Sequence, residues 1–415
     1  MEKLTPRERE RINNYIKKNS PCYPFYCYFE EKVFSQVKKL RKALQKIPHR
    51  ILYAMKANSN PGILLLLRDL VDGVDAVSCQ EIRLAQDIGY SKEEILFTGS
   101  YLNDHEIDFA FREGILINVD SLEILERVGE KYPGLPICLR INPNVGAGHH
   151  NHCITGGPLS KFGISYKEIE KIKKIAQKYS LKIIGLHQHI GSGILKTEKF
   201  LLAMDILLGM VLEFPDLEFI DFGGGFGIPY HPEDQPFNLS LFAGGVEERY
   251  FEFIERYKKI YRKEPKFVFE PGRFIIGEAG FLVVEVTSIK KSPEGRIFVG
   301  VNSGFNHLIR PAMYGSYHEI INLSNPSGEK IKVDICGNIC ESSDFFARDR
   351  EINQPKRGDH LAICDAGAYG FSMSMLAYNM RQPPREVIFH QDGRESVFQW
   401  EIYQKFPIDL SNKKK

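Results

Sequence analysis

The feature that most constrains the fold is an eightfold alternation of short apolar runs with amphipathic segments between about residues 50 and 275. The apolar runs are RILYAMK, VDAVS, ILFTG, GILINVD, PICLRINP, IIGLHQHIG, LEFIDFGGG and KFVFEPGR. Between them, segments such as CQEIRLAQDIG and YKEIEKIKKIAQKY repeat apolar residues every three or four positions, as helices that cover a sheet do. This alternation predicts an α/β fold with a parallel (β/α)8 TIM-like barrel, whose active-site residues lie at the C-terminal ends of the strands.

After residue 280 the pattern changes to alternating polar and apolar runs separated by Gly, Pro, Asn and Asp, which predicts a β-rich domain. We therefore expect an N-terminal extension over residues 1–24, a barrel over residues 25–280 and a β sandwich or barrel over residues 281–415. A strand near residues 22–30 could join the β-rich domain. We expect roughly the first 20 residues and the SNKKK tail to be loosely ordered.

Composition excludes some classes of partner. The 415-residue chain is 43% apolar and 26% charged, with a formal net charge of +2. This balance lacks the basic excess that favours nucleic acid or an anionic membrane, so we predict neither partner. No apolar run approaches the ~18 residues of a membrane span and the N-terminus is too charged for a signal peptide, which predicts a cytoplasmic protein. The eight cysteines lack paired CxxC spacing, so we predict neither a disulfide framework nor a zinc ribbon.

Every predicted barrel strand ends in polar residues. Because parallel strands bring these ends to one rim, a lysine, histidines, a glycine triplet and an arginine in this pattern predict an active site. Any one of them alone is compatible with an ordinary polar loop. The candidates are Lys56, Asp75, Ser78, Thr98, Asp120, Arg140, Asn142, His187, His189, Gly223, Gly224, Gly225, Glu270 and Arg273.

The segment DFGGGFGIPY predicts a phosphate site after the seventh strand, because glycines let backbone amides approach an anion. The serine of HQHIGSG and Arg273 of EPGR would support it. A lysine facing a phosphate site indicates pyridoxal 5'-phosphate, bound through a Schiff base to Lys56 with a pKa lowered by burial. Glu270 would hold the pyridine nitrogen protonated. The alternatives are an ordinary glycine turn and a surface lysine.

Two segments of the β-rich domain add candidates. GNICESSDFF brings Cys340 together with Glu341 and Asp344, which suits a proton donor beside substrate-binding carboxylates. RPAMY supplies Arg310 and Tyr314, which could clamp a substrate carboxylate. A buried cysteine that acts as a small apolar residue is the alternative for Cys340.

The cluster HHNHC, residues 149–153, raises the question of a metal site. Adjacent ligands rarely complete a tetrahedral site without a distant partner, and the sequence shows no second cluster. We therefore predict no metal.

These motifs, in this order, resemble the fold-type III pyridoxal-phosphate decarboxylases, and among them the branch that acts on diaminopimelate. The resemblance covers about residues 25 to 395. Met375–Ala377 contains one residue more than the family pattern has at this point. The motifs are YAMKANSN, INVDS, RINPNV, SKFGI, HQHIGSG, GGGFGIPY, EPGRF, RPAMY, CESSD, GAYGFSMS and YNMR.

The resemblance implies that Lys56 anchors the cofactor, His189 stacks on its ring and Glu270 pairs with the ring nitrogen. Cys340 would be the proton donor, on a loop that reaches the neighbouring subunit's site in a homodimer. The other residues implied to contact the cofactor are Ser192, Gly223, Gly224, Gly225, Pro271, Gly272, Arg273 and Tyr378.

The resemblance further implies a carboxy-lyase that converts meso-2,6-diaminopimelate to L-lysine and carbon dioxide, the last step of lysine biosynthesis. Two alternatives remain: a sister decarboxylase for an amino acid with another distal acid group, as in siderophore or antibiotic assembly, and a non-catalytic homologue. The second would be expected to lose Lys56 or Cys340, and both are present. The implied substrate residues are Arg273, Arg310, Tyr314, Glu341, Asp344 and Tyr378.

Overall fold

The protein is described from a computed structural model, which covers residues 3–20, 23–148 and 155–400. The chain divides into two compact units. The barrel unit contains Glu30–Ala279 and Gly367–Ser372, and the β unit contains Met1–Phe29, Gly280–Ala366 and Met373–Lys415.

The strands and helices are numbered along the chain. The first ten strands are β1 (Phe25–Phe29), β2 (His49–Ala54), β3 (Gly73–Ala76), β4 (Ile95–Phe97), β5 (Leu116–Val119), β6 (Pro136–Asn142), β7 (Ile164–Ser165), β8 (Lys182–His187), β9 (Phe219–Asp221) and β10 (Lys266–Phe269). The others are β11 (Gly280–Lys291), β12 (Ile297–Val301), β13 (Ile320–Asn322), β14 (Lys330–Cys336), β15 (Phe345–Asn353), β16 (His360–Ile363), β17 (Arg385–Phe389) and β18 (Glu395–Phe398). The helices are α1 (Pro6–Asn19), α2 (Glu30–Leu44), α3 (Pro61–Leu67), α4 (Cys79–Ile88), α5 (Asp104–Glu113), α6 (Leu122–Lys131), α7 (Ile169–Lys178), α8 (Thr197–Met210), α9 (Leu239–Tyr261), α10 (Arg273–Ile276) and α11 (Arg310–Tyr314).

The barrel unit is a closed parallel barrel. Its strands follow the order β2-β3-β4-β5-β6-β8-β9-β10, and β10 pairs with β2 to close the ring. Each of these eight strands coincides with one of the eight apolar runs of the sequence. The predicted fold class, a (β/α)8 barrel followed by a β-rich region, is confirmed.

Side-chain caps define where the covering helices begin and end. Ser78 accepts a hydrogen bond from the first turn of α4, and Gly89 ends that helix in the left-handed conformation. Asn103 and Glu106 form a capping box at α5, which ends at Gly114. These residues stop each helix close to the next strand, so the sequence determines the alternation locally. None of the helices among the described residues is long and apolar enough to cross a membrane.

The β unit contains a nine-stranded sheet. Its main path is β15-β14-β12-β11-β1-β17-β18, with β16 paired to both β11 and β13. β1 pairs antiparallel with β11 and parallel with β17, so the aromatic segment before the barrel contributes a central strand of this sheet. The rings of Phe29, Phe281 and Phe389 pack on one another in its core.

The expectation that roughly the first 20 residues are loosely ordered is wrong for α1. Thr5 and Glu8 form a capping box, and Pro6 occupies the first turn, so three residues fix the start of this helix. Its Ile12 and Tyr15 are buried in the core of the β unit. The SNKKK tail lies outside the described residues.

Candidate active site

The first group of functional residues lies where β2 and β3 end. β2 ends at Ala54, and the single 3-10 turn Met55–Ala57 that follows carries Lys56. Ala54 pairs with Asp75 in the parallel register of the two strands. Lys56 Nζ lies 2.7 Å from Asp75 Oδ2; the lysine side chain is 30% exposed and the carboxylate is fully buried. The amine is therefore accessible to a small molecule and is oriented by a carboxylate that is not.

The electrostatics of this pair differ from the sequence-based expectation. Burial lowers the pKa of Lys56, but the negative charges of Asp75 and Glu270 outweigh burial, so the pKa is raised above that of a free lysine. Burial, and then the charge of Glu270, raises the pKa of Asp75. The expectation of a lowered lysine pKa is wrong for this arrangement, because two carboxylates surround the amine.

Three buried groups meet where β8, β9 and β10 end. His187 is the last residue of β8, Asp221 is the last residue of β9, and Glu270 follows β10 directly. Their ligand atoms lie within 4.8 Å of one another, and His187 Nε2 is 3.2 Å from Glu270 Oε2. Burial raises the pKa of Glu270, but His187 and the charge of Lys56 reverse this effect and bring it to about 2. Glu270 is therefore an ionised carboxylate in a buried position.

His189 and the glycine triplet form one wall of this cluster. The backbone N–H of Gly224 donates to His189 Nδ1 at 3.1 Å. Burial, and then the charges of Lys56 and Arg140, lowers the pKa of His189 well below that of a free histidine, so the ring is neutral with its proton on Nε2. A Cβ at Gly224 would lie 2.1 Å from the carbonyl oxygen of Glu270, so no other residue fits here without a shift of the backbone.

Arg273 is fixed in a buried position beside the glycine triplet. Its Nη1 donates to the hydroxyl of Tyr230 at 2.7 Å, and its Nη2 donates to Ser192 Oγ at 3.0 Å. Its guanidinium lies 4.7 Å from the centre of the Tyr369 ring. A cation held by three neighbours, next to backbone amides that only glycine permits, suits a bound phosphate.

Pro271 and Gly272 join Arg273 to the strand that carries the lysine. The carbonyl oxygen of Pro271 accepts from the N–H of Ala54 at 3.3 Å. A Cβ at Gly272 would lie 2.8 Å from the Cβ of Ala57. The EPGR segment and the Lys56 turn therefore share a tightly packed backbone.

The barrel cluster fits pyridoxal 5'-phosphate at three polar groups of that molecule, namely the phosphate, the aldehyde and the ring nitrogen. Arg273 and the glycine triplet match the phosphate, and the accessible amine of Lys56 matches the aldehyde. Glu270 Oε1 is buried, and no amide, alcohol hydroxyl or ring N–H of the described residues reaches it, so the ionised carboxylate can accept from a protonated ring nitrogen. Lys56, Glu270 and Arg273 are therefore the residues that would hold the cofactor.

The predicted proton donor lies on an exposed loop of the β unit, between β14 and β15. Cys340 and Glu341 are exposed, whereas Asp344 is buried. Asp344 accepts from the backbone N–H of Phe305 and of Ile339, both at 2.7 Å. These two hydrogen bonds fix the conformation of the loop. The assignment of Asp344 to the substrate stays a prediction, and its contacts favour a role in shaping the loop.

Tyr378 lies in the β unit, beside the same loop. Its hydroxyl donates to Glu341 Oε1 at 2.5 Å, and its ring stacks on Phe305 with ring centres 5.7 Å apart. Its backbone N–H donates to the carbonyl of Met375, which closes a turn over the extra residue of this segment. The assignment of Tyr378 to the cofactor and substrate stays a prediction.

Arg310 begins α11 and is 1% exposed. Its Nη1 lies 3.1 Å from His318 Nε2, and His318 Nδ1 lies 2.7 Å from the carbonyl oxygen of Cys364. Because a carbonyl only accepts, Nδ1 of His318 carries the hydrogen and Nε2 accepts from Arg310. Tyr314 ends the same short helix and is half-buried. A guanidinium oriented by a neutral histidine suits a carboxylate ligand.

The remaining strand-end candidates make local contacts. Ser78 caps α4, and the Asn142 side chain bonds in both directions to the backbone of a following loop. Arg140 lies 4.7 Å from the centre of a phenylalanine ring, and both Thr98 and Asp120 are buried. A role of these five residues in the active site stays a prediction.

The described residues contain one cluster that bears on the question of a metal. The HHNHC segment, residues 149–153, lies outside them. Within the described ranges, His187, Asp221 and Glu270 have ligand atoms close enough for an ion. We assign Glu270 to the cofactor ring, and the absence of a metal stays a prediction.

Comparison with known proteins identifies the family. Residues 30–277 match the model described as "Pyridoxal-dependent decarboxylase, pyridoxal binding domain". The chain belongs to the pyridoxal-dependent decarboxylases. It is 43% identical to a diaminopimelate decarboxylase of Methanothermobacter thermautotrophicus over 92% of this chain and 90% of that protein. It is 35% identical to the Aquifex aeolicus diaminopimelate decarboxylase over the same shares of the two chains.

A solved structure agrees with the fold of this pyridoxal-dependent decarboxylase. The diaminopimelate decarboxylase of Helicobacter pylori, crystallised with L-lysine, superposes with a TM-score of 0.82 at 32% identity. The match covers 93% of this chain and 95% of that one. The predicted family resemblance, carboxy-lyase class and pyridoxal-phosphate cofactor are confirmed.

The site of this decarboxylase also contains residues to which the sequence analysis gave no role. Asp75 and His187 were candidates because they end strands, whereas Asp221, Tyr230 and Tyr369 were not candidates. Asp221 lies two residues before Gly223, the first residue of the glycine triplet, and that position was the available signal. Tyr369 follows β16 in the chain, yet it belongs to the barrel unit.

Proposed function

We propose that this chain catalyses the pyridoxal-phosphate-dependent decarboxylation of meso-2,6-diaminopimelate to L-lysine and carbon dioxide, the last step of lysine biosynthesis. The observation that carries the proposal is the buried Arg310 oriented by His318. A fixed guanidinium suits the distal carboxylate of diaminopimelate, which ornithine and arginine lack. The named relatives support this substrate and do not favour a sister decarboxylase for another acidic amino acid.

Pyridoxal phosphate supplies an electron-withdrawing ring that takes up the electrons of the carbon–carbon bond that breaks. We assign Lys56 to the covalent anchoring of this group and His189 to the face of its ring. Glu270, which is ionised and buried, keeps the ring nitrogen protonated. The residues assigned to the phosphate and its surroundings are Ser192, Gly223, Gly224, Gly225, Pro271, Gly272, Arg273 and Tyr378.

On the substrate side, we assign Arg310, Tyr314 and Arg273 to the distal carboxylate. Binding at this far end would orient the carboxylate that leaves relative to the cofactor. Glu341 and Tyr378 bind the other polar groups of the substrate, on the loop that Asp344 holds. Cys340 donates the proton that replaces the lost carbon dioxide.

The direct test measures release of carbon dioxide and lysine from meso-diaminopimelate by the purified, cofactor-loaded protein. Ornithine, arginine and L-lysine serve as parallel substrates. We expect turnover of diaminopimelate alone. Turnover of one of the others, or none together with a normal cofactor spectrum, would leave the family in place and reject the proposed substrate.

We also propose that the chain acts in the cytoplasm as a homodimer with shared active sites, in which Cys340 of one subunit completes the site of its neighbour. This proposal rests on the family resemblance and on the exposure of the Cys340 loop. Sharing has a distinctive consequence: two inactive variants, Lys56→Ala and Cys340→Ala, can restore one site when their subunits mix.

The complementation test mixes equal amounts of the two variants after subunit exchange. Shared sites predict recovery of about a quarter of the parent activity, because half of the dimers carry one intact site. Tagged subunits verify that exchange has occurred. If the exchanged mixture were no more active than either variant alone, each subunit would contain a complete active site of its own.

A further inference from the structure

The buried cluster at the ends of β8, β9 and β10 contains one carboxyl group more than the assigned chemistry uses. Glu270 is assigned to the cofactor, and His187 Nε2 bonds to its Oε2. Asp221 has no assigned role, although it is fully buried beside them. A buried carboxyl group without a counter-ion is costly, so its presence needs a physical explanation.

The contacts of Asp221 show how its two oxygens differ. Its Oδ1 accepts from the backbone N–H of Gly223 at 2.8 Å. Its Oδ2 is buried, and no amide, hydroxyl or ring N–H of the described residues reaches it; the same holds for Glu270 Oε1. Carboxyl oxygens of Asp221 and Glu270 lie within 4.8 Å of each other, and both residues are buried. Two ionised carboxylates this close in a buried position repel each other, so one of them retains a proton, which it can donate to the other.

We propose that Asp221 is a positioning residue that stays protonated and donates its carboxyl hydrogen to Glu270. Glu270 then accepts from His187 on Oε2 and from Asp221, and these two bonds hold its carboxylate at a fixed angle. A single negative charge remains in the pair, and it belongs to the residue assigned to the cofactor ring. The expected effect on cofactor binding rests on the proposed function, whereas the arrangement of Asp221, Glu270 and His187 does not.

The surroundings decide which of the two carboxyl groups keeps the proton. Burial, and then the charge of Glu270, raises the pKa of Asp221 well above its usual range, and Asp75 adds a second negative charge. The Cys138 thiol interacts electrostatically with both Asp221 and Glu270, but burial raises its pKa and it supplies no positive charge. The positive charge of Lys56 instead acts on Glu270. The proton therefore stays on Asp221.

Two substitutions at this position separate a protonated acid from a carboxylate. Asp221→Asn keeps a neutral donor toward Glu270 and an acceptor for Gly223, whereas Asp221→Leu keeps neither. If Asp221 is protonated, Asp221→Asn binds pyridoxal phosphate within about threefold of the parent, and Asp221→Leu binds it at least about tenfold more weakly, the cost of one charge-assisted hydrogen bond. If Asp221 is ionised, both substitutions remove the same charge, and the asparagine variant weakens binding as much as the leucine variant. That second outcome would overturn the proposal.

An infrared difference spectrum provides a test that depends on neither folding of the leucine variant nor catalysis. The parent chain before cofactor loading, minus Asp221→Asn, should show the C=O band of a protonated carboxyl group at neutral pH. Asp75→Asn is the matched control: Asp75 is equally buried but pairs with Lys56, so no such band should be lost. Absence of the band from the parent would overturn the proposal, while the proposed decarboxylation would remain open to its own assay.

Discussion

The functional residues of the barrel unit and of the β unit differ in how they are held. In the barrel, Asp75, His187 and Glu270 are almost fully buried, and each contacts another ionisable side chain. In the β unit, Cys340 and Glu341 lie on an exposed loop, and the buried contacts belong to Asp344 beneath them. The difference shows that the barrel groups are ionisable side chains held in buried pairs, whereas Cys340 and Glu341 lie on an exposed loop that Asp344 holds in place.

The largest expected effect follows from removal of the barrel amine. We expect Lys56→Ala to lower the rate of diaminopimelate decarboxylation by at least about a thousandfold, in the range found when a catalytic nucleophile is removed. Lys46→Ala is the control, because Lys46 is an exposed lysine paired with Glu247. Steady-state carbon dioxide release measures both variants. If Lys56→Ala kept near-parent activity, the assignment of Lys56 to the cofactor would be wrong.

A smaller effect is expected at the buried arginine of the β unit. Arg310→Met should lower kcat/KM for diaminopimelate roughly 30- to 150-fold, which corresponds to about 2–3 kcal/mol, because the carboxylate of the substrate loses a charge-assisted bond. The absorbance of the bound cofactor should not change, since Arg310 lies in the β unit rather than in the barrel cluster. Equal losses with a monocarboxylate substrate would show that Arg310 has a structural role instead.

Asp344 offers a test of the loop itself. Asp344→Ala removes the acceptor for one buried and one part-buried backbone N–H group, so we expect the free energy of unfolding of the β unit to fall by about 3 kcal/mol. Asp344→Asn retains one good acceptor and should lose about half as much. Denaturant titration followed by tryptophan fluorescence measures both, because Trp400 is the single tryptophan and belongs to the β unit. Equal stability of all three proteins would mean that the loop does not depend on Asp344.

The smallest effect concerns pH, and it is expected in the β unit. Burial, and then the charge of Arg381, lowers the pKa of His307 to about 4. The unfolded chain therefore binds a proton at higher pH than the folded one, and stability is full above about pH 6.5 and falls as the pH approaches 4. From about pH 7 to about pH 5 we expect a loss of about 2 kcal/mol, which His307→Asn removes. A parent and a variant with the same pH dependence would contradict this assignment.

The sequence predicts the barrel site well because each residue follows a strand in a regular pattern. Lys56, His189, Glu270 and Arg273 lie at strand ends, where the periodicity of the chain marks their position. Tyr369 could not be found in this way. It lies about 100 residues beyond the last barrel strand, and no local pattern shows that such a segment returns to the barrel unit.

The ordered N-terminal helix was missed for a different reason. The residues Thr5, Pro6 and Glu8 form a readable start signal, but the charged residues around them suggested a solvated segment. The apolar face that buries Ile12 and Tyr15 is narrow, and its partner surface is made of strands far along the chain. The sequence also does not predict the protonation state of Lys56, because its pKa depends on Asp75 and Glu270, which lie on other strand ends.

The ion pair between Lys56 and Asp75 has a consequence for how the protein acquires its cofactor. A protonated amine has no lone pair with which to attack an aldehyde, so stray aldehydes that reach the barrel encounter an unreactive group. If Arg273 holds the phosphate as proposed, pyridoxal phosphate would stay beside Lys56 until the amine loses its proton, whereas an aldehyde without a phosphate would leave. The ion pair would then favour the phosphorylated aldehyde, and cofactor loading should be faster in more alkaline solution.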